Sequence, residues 1–431
     1  MKIVKTALLG YGNIGGGVMK VLQENGPGIE KHHGVRFEIV HALVRDLGKK
    51  RAIDLGEGVL TTRLEDITGD PEVELVVEFM GGVHPSSDYM LACLEAGKTV
   101  VTANKEAIAN TWPQLEAAAK AHGAGLYYEA SVGGGIPIIR TLNRSMQANR
   151  MQTVMGIING TTNSILTQMS EEHLPYAQAL AQAQAAGLAE PDPTNDVEGF
   201  DTLFKLSILS SLAFHERVPI EAIYREGITA VTPAMLDYGR KMGYVMKLLA
   251  IGKCDEAGKI EVRVHPTFIP NSHPLASVSG SYNAIFLEGN AVGRVMLYGR
   301  GAGDLPTASS VISDVVNAVK TAGHTYSAFA NVEGAEKEVV FEHNWKTRYF
   351  LSLHLADQPG VVAMVSGILA RYEVSIASMI QQGVDEDSVP VVLITHETHE
   401  QAMQAAVKEI ESLPTCIHPV ELVRVEGDEV L

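Results

Sequence analysis

A glycine motif near the N-terminus constrains the fold more than any other feature of this chain. An apolar run from Ile3 to Leu9 leads directly into Gly10-Tyr-Gly12-Asn-Ile-Gly15, and a helical pattern follows. Gly10 permits a tight turn, Gly12 lets the backbone approach a pyrophosphate, and Gly15 lets helix and strand pack closely. The helix N-terminus offers free N–H groups and a positive dipole to phosphates. This context predicts a Rossmann-type dinucleotide-binding domain rather than a plain glycine-rich turn.

The predicted second strand, Phe37 to Val44, ends in residues that bear on the choice of cofactor. Arg45 and Asp46 come directly after it, and residues 49–51 are basic. Arg45 and the basic cluster could bind a 2′-phosphate, whereas Asp46 could bind free ribose hydroxyls. Alternatively, residues 49–51 form a solvated helix face and only Arg45 matters. The sequence therefore leaves NADP and NAD both open.

Further strand–helix units extend this domain. Residues 73–79 form a largely apolar run, residues 98–102 are predicted to form a strand, and Ala-Asn-Lys105 follows that strand. In such sheets, ligands bind at the carboxyl ends of the strands. Lys105 is therefore expected near the nicotinamide; the alternative is an ordinary surface lysine.

A second glycine loop lies between residues 126 and 139. A strand there carries Glu129 and breaks into Gly133-Gly-Gly135 before Pro137. Exposed carbonyls in such a loop, together with one carboxylate, suit a hard monovalent cation. The alternative is a hinge where the chain crosses between domains, and both interpretations stay open.

The segment from Gly187 to Lys205 concentrates carboxylates and ends in one lysine within an apolar stretch. We expect a helix from about Val197, which places Asp201 and Lys205 four residues apart on one face. Because the neighbours are apolar, this pair should be shielded from solvent. A lysine held near acids can relay a proton, as general acid–base chemistry requires. The alternative is an ordinary surface salt bridge after an acidic turn.

A small α/β pattern restarts after a charged linker at residues 333–347. The predicted strands are 349–355, 375–382, 389–396 and 416–425, and the predicted helices are 361–372 and 400–413. The turn Asp357-Gln-Pro-Gly360 joins the first of these strands to the first of these helices.

Composition excludes several classes of function. The chain has 431 residues, 46% of them hydrophobic, and a net charge of −17, which makes nucleic acid and anionic membranes poor partners. Cys93, Cys254 and Cys416 are far apart, which argues against a disulfide framework or a zinc site. No apolar run reaches the length of a membrane span, and the N-terminal run is too short for a secretory signal. We therefore expect a cytoplasmic protein with no membrane segment.

The motifs together resemble those of homoserine dehydrogenases, in the expected order over residues 1–330. They are Gly10-x-Gly-Asn-Ile-Gly, Thr102-Ala-Asn-Lys105, Glu129-Ala-Ser-Val-Gly-Gly-Gly-Ile-Pro, Asn159-Gly-Thr-Thr-Asn, Gly187-x-x-Glu-Pro-Asp-Pro with Asp196, Asp201 and Lys205, and Gly301-Ala-Gly-x-x-Pro-Thr. The resemblance implies an α/β fold, with a Rossmann-type NAD(P)-binding domain at residues 1–135, completed by about 305–330. An α+β substrate-binding and dimerisation domain is implied at residues 136–304.

The resemblance implies the NAD(P)-dependent interconversion of L-homoserine and L-aspartate 4-semialdehyde, in threonine, methionine and isoleucine biosynthesis. Lys205 resembles the proton donor and acceptor, and Lys105 resembles the lysine that bridges cofactor and substrate. The implied substrate ligands are Glu190, Asp201 and Asp196. The implied cofactor contacts are Gly10, Gly12, Asn13, Ile14, Gly15, Val44, Arg45, Thr102, Lys105, Gly187 and Gly303. The implied sodium ligands are Glu129, Val132, Gly134 and Ile136.

Residues 348–431, with their βαββαβ order and Asp-x-Pro-Gly junction, resemble a ferredoxin-like ACT domain. Such domains bind small amino acids, so the implied effector is L-threonine, acting as a feedback inhibitor. The alternative is a dimerisation module with no ligand. Removal of residues 348–431 is predicted to abolish threonine inhibition and leave activity. The resemblance also implies a homodimer or homotetramer.

Two other functions compete with this interpretation. A semialdehyde dehydrogenase that oxidises to the acyl level would need a nucleophilic cysteine. Neither Cys93, on a predicted helix face, nor Cys254, before a turn, sits beside the acidic segment in the sequence. The other candidate is a catalytically inactive nucleotide-binding amino-acid sensor, which the full set of lysines and carboxylates argues against.

Overall fold

A computed structural model of the chain describes residues 1–51, 53–320, 326–327, 329, 339–381 and 388–427. Parts of three predicted segments lie outside these residues. They are residues 333–338 of the linker, residue 382 of a C-terminal strand, and residues 321–325, 328 and 330 of the segment expected to complete the first domain.

The described residues form strands and helices throughout. The strands are β1 (Lys2–Leu9), β2 (Val35–Leu43), β3 (Leu60–Thr61), β4 (Leu75–Glu78), β5 (Thr99–Thr102), β6 (Leu126–Tyr127), β7 (Met151–Ile157), β8 (Tyr224–Arg225), β9 (Tyr244–Cys254), β10 (Ile260–Pro270), β11 (Tyr282–Gly289), β12 (Gly293–Arg300), β13 (Lys346–Leu355), β14 (Ile376–Gln381), β15 (Val389–Thr395), β16 (Thr398–His399) and β17 (Glu421–Val425). The α-helices are α1 (Asn13–His33), α2 (Glu65–Thr68), α3 (Ser86–Glu95), α4 (Lys105–His122), α5 (Ile138–Arg140), α6 (Gly160–Glu171), α7 (Tyr176–Ala185), α8 (Thr194–Val197), α9 (Phe200–Phe214), α10 (Pro233–Lys241), α11 (Asp304–Lys320), α12 (Val361–Arg371) and α13 (Glu400–Glu411).

The described chain divides into two compact units. The first comprises residues 1–158, 201–223 and 282–339, and the second comprises residues 159–200, 224–281 and 340–431. The domain boundaries expected from the sequence, at residues 135, 304 and 348, stay predictions.

A parallel sheet forms the centre of the first unit. Its strand order is β3-β2-β1-β4-β5-β6, with every neighbouring pair parallel. This is the order of a dinucleotide-binding sheet, in which the ligand crevice lies where the order reverses beside β1. The apolar runs in β1 and β4 are buried, as expected for strands covered on both faces. The structure therefore confirms the predicted Rossmann-type domain.

Helix α11 packs on α1 within this unit. The contact depends on Gly17, where a Cβ atom would lie 2.8 Å from the Asp304 carbonyl oxygen. A side chain at this position would separate the two helices. The first unit also contains an antiparallel group of strands, β7, β11 and β12, and the part of α9 from Asp201 onwards.

The second unit is built on the long antiparallel hairpin of β9 and β10. Strand β8 pairs in parallel with β10, and β17 also pairs with β10 through Thr267 and Phe268. The C-terminal strands follow the order β17-β13-β15-β14, with helices α12 and α13 packed together. This is the predicted ferredoxin-like βαββαβ module. Its core contains Leu351, Leu353 and Met403.

Two local predictions are wrong, and one alternative that the sequence left open is excluded. The helix expected from Val197 begins at Phe200 instead, because the left-handed Gly199, with φ of 80°, separates α8 from α9. The last strand covers Glu421–Val425 only. Residues 49–51 form an irregular turn and not a helix face.

Among the residues that the structure describes, none of the helices has both the length and the apolar character that a bilayer crossing requires.

Candidate active site

The glycine turn after β1 adopts the backbone conformation that its sequence requires. Gly10 has φ of 91°, and a Cβ there would lie 3.3 Å from the Phe79 carbonyl carbon. Gly15 packs against the Tyr11 ring, whereas the space beside Gly12 is open. Asn13 begins α1, and Ile14 follows it. This turn exposes the backbone at a helix N-terminus, the arrangement that binds phosphate groups.

The end of β2 presents one exposed cation. Val44 is buried and donates its N–H to the Thr61 carbonyl at 2.8 Å, while Arg45 is exposed. The Arg51 guanidinium donates to the carbonyls of Asp46 and Lys49, so it organises this turn. Within the basic cluster of residues 49–51, the Arg51 guanidinium is therefore engaged in hydrogen bonds to the protein backbone.

Lys105 is positioned by the cap of α4. Thr102 donates to the Glu78 carboxylate at 2.5 Å and accepts the Asn104 N–H at 2.9 Å. Asn104 caps the helix by accepting the Ala107 N–H at 3.0 Å. Lys105 is thus the first residue of α4, directly after the carboxyl end of β5.

The Asp201 carboxylate brings two lysines together. Its Oδ2 lies 2.6 Å from the Lys205 ammonium nitrogen, and its Oδ1 lies 3.1 Å from that of Lys105. Lys205 also donates to the Ile158 carbonyl at 2.7 Å. The Asp201 and Lys205 side chains are 8% and 10% exposed, and that of Lys105 is 35% exposed. The predicted shielding of the Asp201–Lys205 pair is observed, and the two lysines named by the resemblance share one carboxylate.

The remaining residues of the acidic segment belong to the second unit. Gly187 adopts φ of 71°, and Glu190 is exposed, with its carbonyl accepting the Gln184 side-chain amide at 3.1 Å. Asp196 accepts a hydrogen bond from the Asn159 amide at 2.7 Å. Asn159 itself caps α6, so the Asn-Gly-Thr-Thr-Asn motif fixes the carboxylate of Asp196.

The second glycine loop is buried and closely packed. The Glu129 carboxylate accepts the N–H groups of Ile139 and Arg140 at 2.9 and 2.8 Å. Burial first, and then the neighbouring Asp314, raise the pKa of Glu129 to about 7. The Glu129 carboxylate therefore accepts hydrogen bonds from backbone N–H groups of α5.

The backbone carbonyls of this loop are also in use. The Gly134 carbonyl accepts the Ser310 hydroxyl at 2.6 Å, and that of Ile136 accepts the Ile138 N–H at 2.8 Å. Each carbonyl oxygen keeps a second lone pair for a cation. Val132 is fully buried nearby in the chain. Within the described ranges, no group of three His, Cys, Asp or Glu side chains could hold a metal ion.

The loop that contains Gly303 packs on the second glycine loop. Gly303 has φ of 111°, and a Cβ on Gly134 would lie 2.5 Å from the Gly301 carbonyl. Only glycine fits at such a backbone–backbone contact. The two glycine-rich motifs are therefore neighbours within the first unit.

Two of the three cysteines lie in settings that disfavour a nucleophile. Burial raises the pKa of the Cys93 thiol to about 12, within α3. Burial also raises the pKa of Cys416, and Cys254 ends β9. A thiol held protonated is a poor nucleophile. This observation argues against Cys93 and Cys416 as the nucleophile that oxidation to the acyl level would need.

Sequence reasoning missed one carboxylate near the cofactor turn. Glu78 is fully buried at the end of β4, where it accepts the Met80 N–H at 2.6 Å and the Thr102 hydroxyl. It therefore ties together the carboxyl ends of β4 and β5. The signal was a single acid that ends an otherwise apolar strand.

The fold and these side chains define a nucleotide-binding oxidoreductase, with a Rossmann sheet and a lysine–carboxylate–lysine group. Three family models match the chain. They are the homoserine dehydrogenase NAD-binding domain at residues 10–129, homoserine dehydrogenase at residues 137–316 and the ACT domain at residues 349–415.

Known homoserine dehydrogenases match this chain over three quarters or more of its length. The homoserine dehydrogenase of Bacillus subtilis is 39% identical over 433 residues, covering 99% of each chain. The crystal structure of a homoserine dehydrogenase from Thiobacillus denitrificans matches with a TM-score of 0.91 and 39% identity, covering 99% of each chain. A hyperthermophilic archaeal homoserine dehydrogenase in complex with NADPH matches with a TM-score of 0.64 and 26% identity, covering 75% of this chain and 99% of that chain. The chain belongs to the homoserine dehydrogenase family, and it carries a C-terminal ACT domain.

Proposed function

We propose that the chain interconverts L-homoserine and L-aspartate 4-semialdehyde, with Lys205 as the group that moves the proton. The observation that supports this most directly is the contact of one buried carboxylate with two lysines. Oxidation of an alcohol to an aldehyde removes a hydride from carbon and a proton from oxygen. A nearly buried lysine beside a carboxylate suits the proton, because its environment is protected from bulk water.

In the direction of aldehyde reduction, the Lys205 ammonium donates a proton to the substrate oxygen. In the direction of alcohol oxidation, neutral Lys205 accepts that proton from the hydroxyl. Asp201 orients Lys205. The resemblance implies Glu190, Asp196 and Asp201 as substrate ligands, because carboxylates suit the ammonium group of an α-amino acid. A bound nicotinamide supplies or accepts the hydride.

We infer that the glycine turn holds the pyrophosphate of NADP or NAD. The open space beside Gly12 and the N-terminus of α1 fit such a group. The other proposed cofactor contacts are Gly10, Asn13, Ile14, Gly15, Val44, Thr102, Lys105, Gly187 and Gly303. The exposed Arg45 favours acceptance of a 2′-phosphate, although Asp46 beside it keeps NAD use open.

We further propose a monovalent cation, sodium, at the loop of Glu129, Val132, Gly134 and Ile136. The backbone carbonyl oxygens of this loop support the proposal more than the Glu129 carboxylate does, because that carboxylate already accepts two N–H groups. Activity should then rise with NaCl relative to tetramethylammonium chloride at equal ionic strength. Equal activity in both salts would contradict the cation.

The ACT domain supports a proposal of feedback inhibition by L-threonine, in threonine, methionine and isoleucine biosynthesis. The parallel pairing of β17 with β10 makes removal of residues 348–431 a poor test, because it would expose the edge of a buried strand. The exposed Asp357, at the Asp-x-Pro-Gly junction, offers a milder test. Asp357→Ala should raise the half-inhibiting threonine concentration about tenfold. An unchanged value would favour a module that only mediates dimerisation.

We also propose a cytoplasmic homodimer or homotetramer. The three cysteines are free thiols in the structure, which suits a reducing compartment. Light scattering of the purified chain gives the assembly directly, and a monomeric mass would contradict this part of the proposal.

The reaction itself is tested by the absorbance change at 340 nm with L-homoserine and either NAD or NADP. Reduction of a cofactor is expected, with the larger rate identifying the preferred one. Addition of L-threonine to the same assay tests inhibition. Intact cofactor binding without turnover would instead favour an inactive nucleotide-binding amino-acid sensor.

A further inference from the structure

One buried arginine joins the two helices that carry the lysines. Arg217 follows the C-terminal end of α9. One guanidinium nitrogen donates to the Ser207 hydroxyl at 3.0 Å, to the Ser211 hydroxyl at 3.4 Å and to the Val218 carbonyl at 2.7 Å. The other donates to the Ala109 carbonyl. A single planar side chain therefore bonds to α9 and to α4 at once.

The bonded positions lie close in sequence to the lysines. Ala109 is one helical turn beyond Lys105 in α4, and Ser207 follows Lys205 by two residues in α9. The same two helices also meet at the candidate site, where Lys105 of α4 contacts Asp201 of α9. The guanidinium thus links the backbone of α4 to the face of α9 that carries Ser207 and Ser211.

Helix α4 offers this guanidinium a backbone carbonyl that has no hydrogen-bond donor within the helix. Pro113 lies inside that helix and has no N–H group, so the Ala109 carbonyl lacks the donor that a regular helix supplies four residues later. A buried carbonyl needs a partner, and Arg217 provides it. The guanidinium also lies 5.8 Å from the centre of the buried Trp112 ring, on the same helix.

The cost of this arrangement indicates a purpose beyond packing. Burial of the guanidinium lowers the pKa of Arg217 to about 10, although the charge of Glu221 acts in the opposite direction, and this reflects the expense of holding a cation away from water. The four bonds named above all go to uncharged oxygens. An apolar side chain would fill the same space without that expense. The planar fork, however, fixes direction as well as distance.

We propose that Arg217 is a positioning residue, which sets the spacing of α4 and α9 and thereby holds Lys105 and Lys205 on the two oxygens of Asp201. The inference deepens the proposed function and rests on it. Arg217 contacts neither substrate nor cofactor in this role, and acts only through the helices.

The first test is Arg217→Met, measured by kcat, by KM for L-homoserine and by the dissociation constant of the cofactor. We expect kcat to fall at least tenfold, because displacement of reacting groups by a fraction of an ångström is costly. Cofactor affinity should stay within twofold, since the glycine turn is untouched. Arg217→Lys should recover part of the rate, because an ammonium can serve one helix but has no planar fork for both.

The second test separates positioning from general destabilisation. In a Lys105→Ala background, Arg217→Met should lower kcat less than threefold, because the contact that it positions is already absent. An effect of the same size in both backgrounds would overturn the proposal. So would a kcat of Arg217→Met within threefold of the unsubstituted enzyme.

A matched control is Arg263→Met, which removes another buried guanidinium in the second unit. It should lower Tm but leave kcat within threefold. If Arg217→Met does not fold, Ser207→Ala carries the same two tests, because it removes one acceptor on α9 and keeps the cation. Full activity of both Lys205→Met and Lys105→Ala would instead refute the proposed function, and would do so without reference to Arg217.

Discussion

Two buried groups of charges, one in each compact unit, differ in how rigidly their members are held. In the first unit, the Asp201 carboxylate contacts two lysine ammonium groups. In the second unit, the Arg424 guanidinium, 1% exposed, is fixed by side chains on three sides. The first group keeps one partly exposed cation, Lys105, whereas the cation of the second group is shielded from solvent.

The second group is saturated by directed bonds. Arg424 donates to both oxygens of Glu400, to Glu226 at 2.7 Å and to the Tyr224 hydroxyl at 3.0 Å. Burial works against the Glu400 carboxylate, but the hydrogen bonds and charge of Arg424 outweigh it and hold its pKa below the ordinary value. Tyr349 donates to the same carboxylate at 2.7 Å. Such a network holds strands together and leaves no proton to move.

The difference separates a group that can do chemistry from one that stabilises. Lysine is a compact ammonium on a flexible stem and can lose its proton, whereas a guanidinium in a planar set of bonds stays charged. The lysines therefore belong where a proton must move. The arginine belongs where the C-terminal strand meets β8 and β10.

The largest expected effect is on the first group. Lys205→Met should lower kcat by about 10²–10⁴-fold, because positioned proton transfer contributes that much. Cofactor binding should persist, which fluorescence titration with NADPH measures. A rate within tenfold of the unsubstituted enzyme would show that the proton moves through another group.

Substitution in the second group should affect stability instead. Arg424→Met should lower the free energy of unfolding by about 3–5 kcal/mol, because it leaves the buried Glu400 carboxylate without its cation and also removes the ion pair with the partly exposed Glu226. The rate of the remaining folded enzyme should stay within threefold. Urea denaturation and kcat on the same sample check both values, and a selective loss of kcat would contradict the comparison.

Lys247 provides a pH test in the second unit. It donates to the Val278 carbonyl at 2.5 Å and to the Asn163 amide oxygen at 3.3 Å, and burial lowers its pKa from 10.5 to about 8. A lowered pKa in the folded state means that stability is lost as pH falls from 10.5 through 8. Relative to Lys247→Met, the unsubstituted enzyme should therefore gain roughly 2 kcal/mol between pH 7.5 and pH 9.5. Parallel Tm profiles of the two proteins would contradict this.

The smallest effect should come from an ion pair that is neither buried nor catalytic. Arg371 on α12 pairs with Glu409 on α13, and the arginine side chain is 59% exposed. Arg371→Met should change stability by about 1 kcal/mol or less and leave kcat unchanged. It is the control for Arg424→Met, and a loss as large as that of Arg424→Met would show that exposure does not separate the two.

The parts of the molecule with local signals could be predicted from the sequence. The glycine turn lies between an apolar strand and a helix, and the order of elements after residue 348 fixes a ferredoxin-like module. The pairing of Asp201 with Lys205 also followed from their spacing on one helix. The helix start at Phe200 was missed because Gly199 breaks a pattern that apolar periodicity alone reads as continuous.

The sequence by itself determined the Rossmann order, the C-terminal module and the residue types of the site, because each depends on a short contiguous stretch. Only the tertiary structure decided that Lys105 meets Asp201, that Arg217 bonds to the carbonyl left by Pro113, and that Arg424 meets Glu226. These contacts join residues far apart in the chain. Their partners are set by how helices and strands pack, and no local pattern carries that information.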